Sequence, residues 1–124
     1  MASARLEHVN ITVSDPDRSA RFLAQLCGWH ERWRGPAINH GWTIHLGSDT
    51  DYIALYTTGT PPDAAFEKGQ PLNHIGLVVD DLETAKRLVK ETGFEIFGEA
   101  DYEPGRRFYF LDWDGIEFEV VSYT

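Results

Sequence analysis

The sequence predicts an α+β fold of two βαβββ modules. Their sheets are expected to curve into a partly open mixed β-barrel with the helices outside. Three observations carry this expectation. Leu6-Glu7-His8-Val9-Asn10-Ile11-Thr12-Val13 returns as Leu72-Asn73-His74-Ile75-Gly76-Leu77-Val78-Val79, shifted by 66 residues. Each copy then meets an aspartate, Asp15 or Asp81, where strand gives way to helix. Beyond the second helix the shift is 65, so Trp29 matches Phe94, Leu46 matches Leu111 and Ala54 matches Glu119. A histidine at the same strand position in both copies points to a two-fold site where the halves meet.

The first copy opens with alternating, β-branched residues over 6–13, a strand pattern. Ser14-Asp15-Pro16 supplies a helix cap and a first-turn proline. Ser19, Phe22, Leu23 and Leu26 follow at helical spacing, and Gly28 ends the helix. Strands are expected at Trp29–Trp33, Gly41–Leu46 and Tyr52–Thr57, with turns at Gly35-Pro36 and Gly47–Asp51. A linker rich in proline and glycine occupies 59–71. The second copy has a strand at 72–79, a helix over about 82–91 with the apolar stripe Leu82, Ala85, Leu88 and Val89, and Gly93 as its stop. Strands follow at about 94–98, 106–111 and 116–123. One domain of two repeats, about 6–58 and 72–123, accounts for the whole chain. Each module has one helix for four strands, so one sheet face stays free to line a cavity.

Composition narrows the function. The length of 124 residues suffices for a core, and 42% hydrophobic with 25% charged residues is ordinary for a soluble domain. A net charge of −9 supplies no field to attract nucleic acid or an anionic membrane. No apolar run approaches the roughly 20 residues of a membrane span. There is no basic-then-apolar leader, and Cys27 is alone, so a reducing, cytoplasmic setting is expected. Cys27, late on an apolar helix face, reads as a buried structural thiol.

The stretches L-E-H-V-N-I-T-V-S-D, L-N-H-I-G-L-V-V-D-D and F-Y-F-L-D-W-D-G-I-E-F-E-V resemble the vicinal oxygen chelate superfamily. That superfamily includes glyoxalases, bleomycin-resistance proteins, fosfomycin-resistance transferases and extradiol dioxygenases. The resemblance spans nearly the whole chain, in the expected order, and implies the glyoxalase/dioxygenase-like fold. Its last-strand signature has proline between the aspartates, where this chain has Trp113.

Period-two alternation sorts the strands into faces. Val9, Ile11 and Val13 oppose His8, Asn10 and Thr12, while Ile75, Leu77 and Val79 oppose His74, Gly76 and Val78. On the last strand Phe118 and Val120 oppose Glu117, Glu119 and Val121. Two histidines and one carboxylate on the cavity side suit Fe(II), Mn(II), Ni(II) or Zn(II) with positions left open. The resemblance assigns His8, His74 and Glu119 as the ligands of one divalent ion, with Fe(II) or Mn(II) favoured. Glu119 lies four residues past Gly115, on the family's carboxylate position, and Glu117 is two residues early. The plainer reading makes each histidine a hydrogen-bonded cavity residue of a metal-free binding fold.

Ala54 is the internal counterpart of Glu119. Relatives of the glyoxalase I and methylmalonyl-CoA epimerase type carry a fourth polar ligand there. Alanine can neither coordinate nor move a proton, which weighs against that acid–base chemistry. Tyr109 matches a substrate-contacting tyrosine of fosfomycin-type transferases and is the catalytic candidate. Asn10, Trp42, Tyr56 and Arg107 are candidate substrate contacts, Arg107 for an anionic group. His45, aligned with Phe110, is expected on the helix side as a structural residue. His40 falls near the cavity mouth and His30 on the surface. Glu83, Lys86, Arg87, Lys90 and Glu91 read as a solvated helix face.

The leading function is a metal-dependent enzyme acting on a small substrate with vicinal oxygens, most of all a dioxygenase. A fosfomycin-type transferase and a glyoxalase-type lyase rank below it. The alternative from another class is a metal-free binding protein of the bleomycin-resistance type. The expected partners are a small-molecule substrate and a second copy in a homodimer, with neither nucleic acid nor membrane.

Overall fold

The structure, a computed structural model, describes residues 3–59, 66–102 and 105–124, residue 102 by its backbone alone. The chain divides into two compact units, Met1–Asp63 and Ala64–Thr124. The first contains β1 (His8–Thr12), α1 (Pro16–Cys27), β2 (His30–Ala37), β3 (Gly41–Gly47) and β4 (Tyr52–Thr57). The second contains β5 (Ile75–Val78), α2 (Leu82–Thr92), β6 (Phe97–Tyr102), β7 (Gly105–Leu111) and β8 (Glu117–Ser122). Residues 60–65 of the expected linker lie outside the described residues.

Each unit is an open, four-stranded mixed sheet carrying one helix. The strand orders, β1-β4-β3-β2 and β5-β8-β7-β6, are the same order twice. The first strand pairs parallel with the last, and every other pairing is antiparallel. A backbone bond continues each parallel ladder one step past the strand: Val13 N–H to the Tyr56 carbonyl at 2.8 Å and Val79 N–H to the Val121 carbonyl at 2.9 Å. The α+β class and the βαβββ order are as the repeat predicts.

The helices begin and end for the expected reasons. Asp15 Oδ1 accepts the Arg18 N–H, and Asp81 Oδ1 accepts the Thr84 N–H, both at 3.1 Å. Gly28 and Gly93 close them in left-handed conformation. Phe22, Leu23 and Leu26 bury α1 against Ile44, Leu46, Ile53 and Leu55; Leu82, Ala85 and Val89 bury α2 against Phe108, Phe110, Phe118 and Val120.

Three elements depart from expectation. β2 runs through Gly35-Pro36 to Ala37, because it is an edge strand on which proline's missing N–H costs no ladder bond. The chain turns instead at Asn39-His40, both with positive φ, as a tight hairpin requires. β6 starts at Phe97 rather than 94, because Phe94 turns inward: its N–H returns to the Val89 carbonyl and its ring stacks on Phe110 at 5.5 Å. β5 is shorter than expected, so His74 immediately precedes it whereas His8 is the first residue of β1.

The third hairpin strands are also offset by 64, not 65. Ala54 pairs with His45 and Glu119 pairs with Tyr109, so 109 − 45 gives 64 while 119 − 54 gives 65. The connection between β7 and β8 is one residue longer than that between β3 and β4. A one-residue slip reverses the face of every side chain on a strand. His45 is therefore the counterpart of Tyr109, and Ile44 and Leu46 match Phe108 and Phe110.

Two outcomes test this packing. Phe110→Ala, at a fully buried ring, is expected to cost about 3–5 kcal/mol in urea unfolding. Burial pushes the Cys27 thiol up to about 12. Its alkylation by iodoacetamide at pH 8 is expected to be more than about a hundredfold slower in the folded protein than in urea.

Candidate functional site

In the second unit the free face of the sheet is built from β5, β8 and β7. Glu119 is central, with Gly76 beside it on β5 and Tyr109 beside it on β7. Gly76 leaves its side of Glu119 open, since nothing lies within 4 Å of where a Cβ would stand. His74 Nε2 is 3.1 Å from Glu119 Oε1, and Arg107 Nη1 donates to Glu119 Oε2 at 2.9 Å. The His74 ring meets Tyr109 edge-on at 5.8 Å. Four residues singled out from the sequence thus meet on one face. Glu117 also lies there, 7% exposed, and takes both oxygens to Lys68 Nζ at 2.9 and 3.0 Å. A cavity of about 290 Å³ opens among Lys68, Asn73, His74, Phe97, Tyr109 and Glu117. Gly98 gives Tyr109 its room, because a Cβ there would meet the ring at 2.6 Å.

The residue before each histidine fixes its ring. Glu7 Oε1 is 2.8 Å from His8 Nδ1, and Asn73 Oδ1 is 2.7 Å from His74 Nδ1. With the proton on Nδ1, each histidine has Nε2 as its electron-pair donor. Metal-binding histidines are oriented this way. At His74, Nε2 faces a second acceptor, Glu119 Oε1, at 3.1 Å. Two adjacent ligands of one divalent ion, each bonded at about 2.1 Å, sit about 3 Å apart. His74 and Glu119 have that spacing. Among the described residues, no group of three or more His, Cys, Asp or Glu side chains is gathered around one point. His8 belongs to the first unit.

The first unit carries a row of rings across its sheet. His8 stacks on Tyr52 at 4.8 Å, Tyr52 on His45 at 4.5 Å, and His45 lies 5.3 Å from Trp33. The Arg32 guanidinium sits 4.6 Å over the Tyr52 ring. His45 is thus on the face of His8, not the helix side. The expectation failed because the single shift of 65 ignored the shorter loop. Asn10 is exposed beside Ala54 on the same face. Tyr56 shares it too, but its hydroxyl donates to the Ile38 carbonyl at 3.0 Å and braces the β2–β3 hairpin. Trp42 does not line this face. Its position on β3 is that of Ile44 and Leu46, on the opposite side from Thr43 and His45. Strand alternation, applied from the buried Ile44, would have shown that.

Two residues of these faces were not anticipated. Tyr52 is the internal counterpart of Glu117 and pairs with His8, a relation readable once the strand order is known. Lys68 lies in the linker, where no periodicity marks a role. Of the groups on the first face, His45 is held below the ordinary histidine range, chiefly by burial and then by the charges of His8 and Arg32, with Glu7 opposing.

A duplicated sheet with a histidine at each first strand and a carboxylate on one last strand defines a class of two-module proteins. The chain belongs to the Glyoxalase/Bleomycin resistance protein/Dioxygenase superfamily, whose model matches residues 5–120. Among solved structures it is similar to a glyoxylase/bleomycin resistance protein/dioxygenase domain from Frankia sp. EAN1pec, with TM-score 0.83 and 21% identity over 98% of both chains. It is also similar to the fosfomycin resistance protein FosX from Listeria monocytogenes, complexed with Mn(II) and sulfate, with TM-score 0.76 and 21% identity over 100% of this chain and 95% of that one. TioX from Micromonospora sp. ML1 follows with TM-score 0.68 and 20% identity over 98% of this chain and all of that one. No curated protein matches.

Since folding favours the neutral form of His45, the unfolded chain binds the proton more readily, and stability falls as pH drops below about 6.5. The His45 ring protons are expected to titrate below the ordinary histidine range by NMR. His45→Phe is expected to lose less stability between pH 7 and pH 5 than the unaltered protein.

Proposed function

We propose that the protein is a divalent-metal-dependent enzyme acting on a small substrate with two neighbouring oxygens, with dioxygenase-like chemistry first. His8, His74 and Glu119 hold the ion, Fe(II) or Mn(II) in preference to Ni(II) or Zn(II). The observation that supports this most is the 3.1 Å approach of His74 Nε2 to Glu119 Oε1, with each family-assigned histidine tied at Nδ1. When bound, the ion supplies Lewis-acid stabilisation of charge on the substrate oxygens.

The remaining work falls to side chains. His74 presents Nε2 because Asn73 holds the opposite nitrogen. Tyr109, paired with Glu119 across the ladder, offers a phenol to hydrogen-bond a substrate oxygen, and Phe97 backs its ring at 5.9 Å. Glu117 is neutralised by Lys68 and keeps the cavity wall polar without excess charge. Asn10 adds an amide on the first unit's face, and Arg107 reaches the site through Glu119. Ala54 and its neighbour His45 supply no second carboxylate, which ranks a glyoxalase-type lyase lower. The partners are a small molecule and, as a homodimer, a second copy. The acidic balance favours neither nucleic acid nor membrane, and no helix among the described residues is long and apolar enough to cross a bilayer.

One observation favours a second reading, a metal-free sequestering protein of the bleomycin-resistance type. Glu119 is already satisfied on both oxygens, by His74 and Arg107. Metal analysis of protein purified without tag or chelator separates the two. Near-stoichiometric iron or manganese is expected, with oxygen uptake on catechols. His8→Ala, His74→Ala and Glu119→Ala should each lose affinity beyond the roughly 10–100-fold typical of outer-shell changes. Protein that takes up no divalent ion would leave the sequestering reading standing.

A further inference from the structure

Glu119 receives its arginine in an unusual way for a structural ion pair. An arginine that merely anchors a carboxylate tends to meet both oxygens with both arms of its fork. Here one arm reaches one oxygen: Nη1 to Oε2 at 2.9 Å, while Nη2 leans toward the Gly105 carbonyl at 3.4 Å. Oε1 is left to His74 Nε2. Both partners are partly buried, each side chain 14% exposed, and the bond to Nη1 restricts rotation of the carboxylate from the arginine side.

The duplication supplies an internal control. Arg107 corresponds to Thr43, by the offset of 64 on that strand, and Glu119 to Ala54. The arginine occurs in the half that has the carboxylate, and the half without it has neither. Packing alone does not ask for a charge at this register, since Thr43 fills the equivalent place almost wholly buried.

We propose that Arg107 is a positioning residue: it holds Glu119 Oε2 so that Oε1 alone, beside His74 Nε2, is offered to a divalent cation. This rests on the metalloenzyme reading above. It assigns Arg107 to the carboxylate rather than to an anionic substrate, and it gives one-oxygen ligation by Glu119.

The test is Co(II) titration of the apo protein followed by visible absorption, for the unaltered chain, Arg107→Gln, Arg107→Lys and His74→Ala. Arg107→Gln is expected to weaken Co(II) binding about 10–100-fold and to shift the ligand-field bands as Oε2 becomes free to ligate. Arg107→Lys should restore most of the affinity. Arg107→Met, which keeps the apolar stem, carries the same expectation should the glutamine variant not fold. An Arg107→Gln protein with unaltered affinity and spectrum, where His74→Ala still loses binding, overturns this inference alone. An unaltered chain that binds no Co(II) overturns the inference and the metalloenzyme reading together.

Discussion

The parallel pairing of each unit's first strand with its last is the constraint on which the site depends. It sets the histidine-bearing segment directly against the strand that carries Tyr52 and Ala54 in one unit and Glu117 and Glu119 in the other. With the third strand antiparallel on the far side, residues distant in sequence fall into one row. His74, Glu119 and Tyr109 meet because β8 lies between β5 and β7. The helices sit on the opposite face, where Phe108, Phe110, Phe118 and Val120 fix the register by burial. A slip of that register would expose the core and bury the carboxylates together, so packing and site geometry are enforced by the same contacts.

The two copies have used the shared frame differently. In the first, the middle of the row is Tyr52, and stacking on His8 and His45 fills the space that charge would need. In the second, the same places hold carboxylates, each matched by its own cation, Lys68 for Glu117 and Arg107 for Glu119. A buried carboxylate without such a partner would be costly. The acidic half therefore had to carry its counter-charges with it, one from the neighbouring strand and one from the chain leading into β5.

Most of this was legible in the residues. The repeat set the element order, the Asp and Gly caps set the helix limits, and alternation put His8, His74, Glu117, Glu119, Tyr109 and Arg107 on one type of face. His45 was misplaced because internal matching was carried across a loop whose length differs between the copies, and Trp42 because alternation was not counted from Ile44. Face assignment is a parity, so a single residue reverses it. Lys68 was invisible because a long-range ion pair from irregular chain leaves no periodic trace. The ends of β2 and β6 were set by an edge position and by the inward turn of Phe94, both tertiary facts.

Gly76 interrupts the row of side chains beside Glu119 on the second unit's face. Its backbone is not left-handed, and the space above it is vacant. Its counterpart on β1 is Asn10. The gap is therefore a doorway beside Glu119 that any residue could narrow without backbone strain. Alanine, serine and valine at this point would form a graded sieve, trimming the size of what approaches Glu119 while leaving every ionisable group in place.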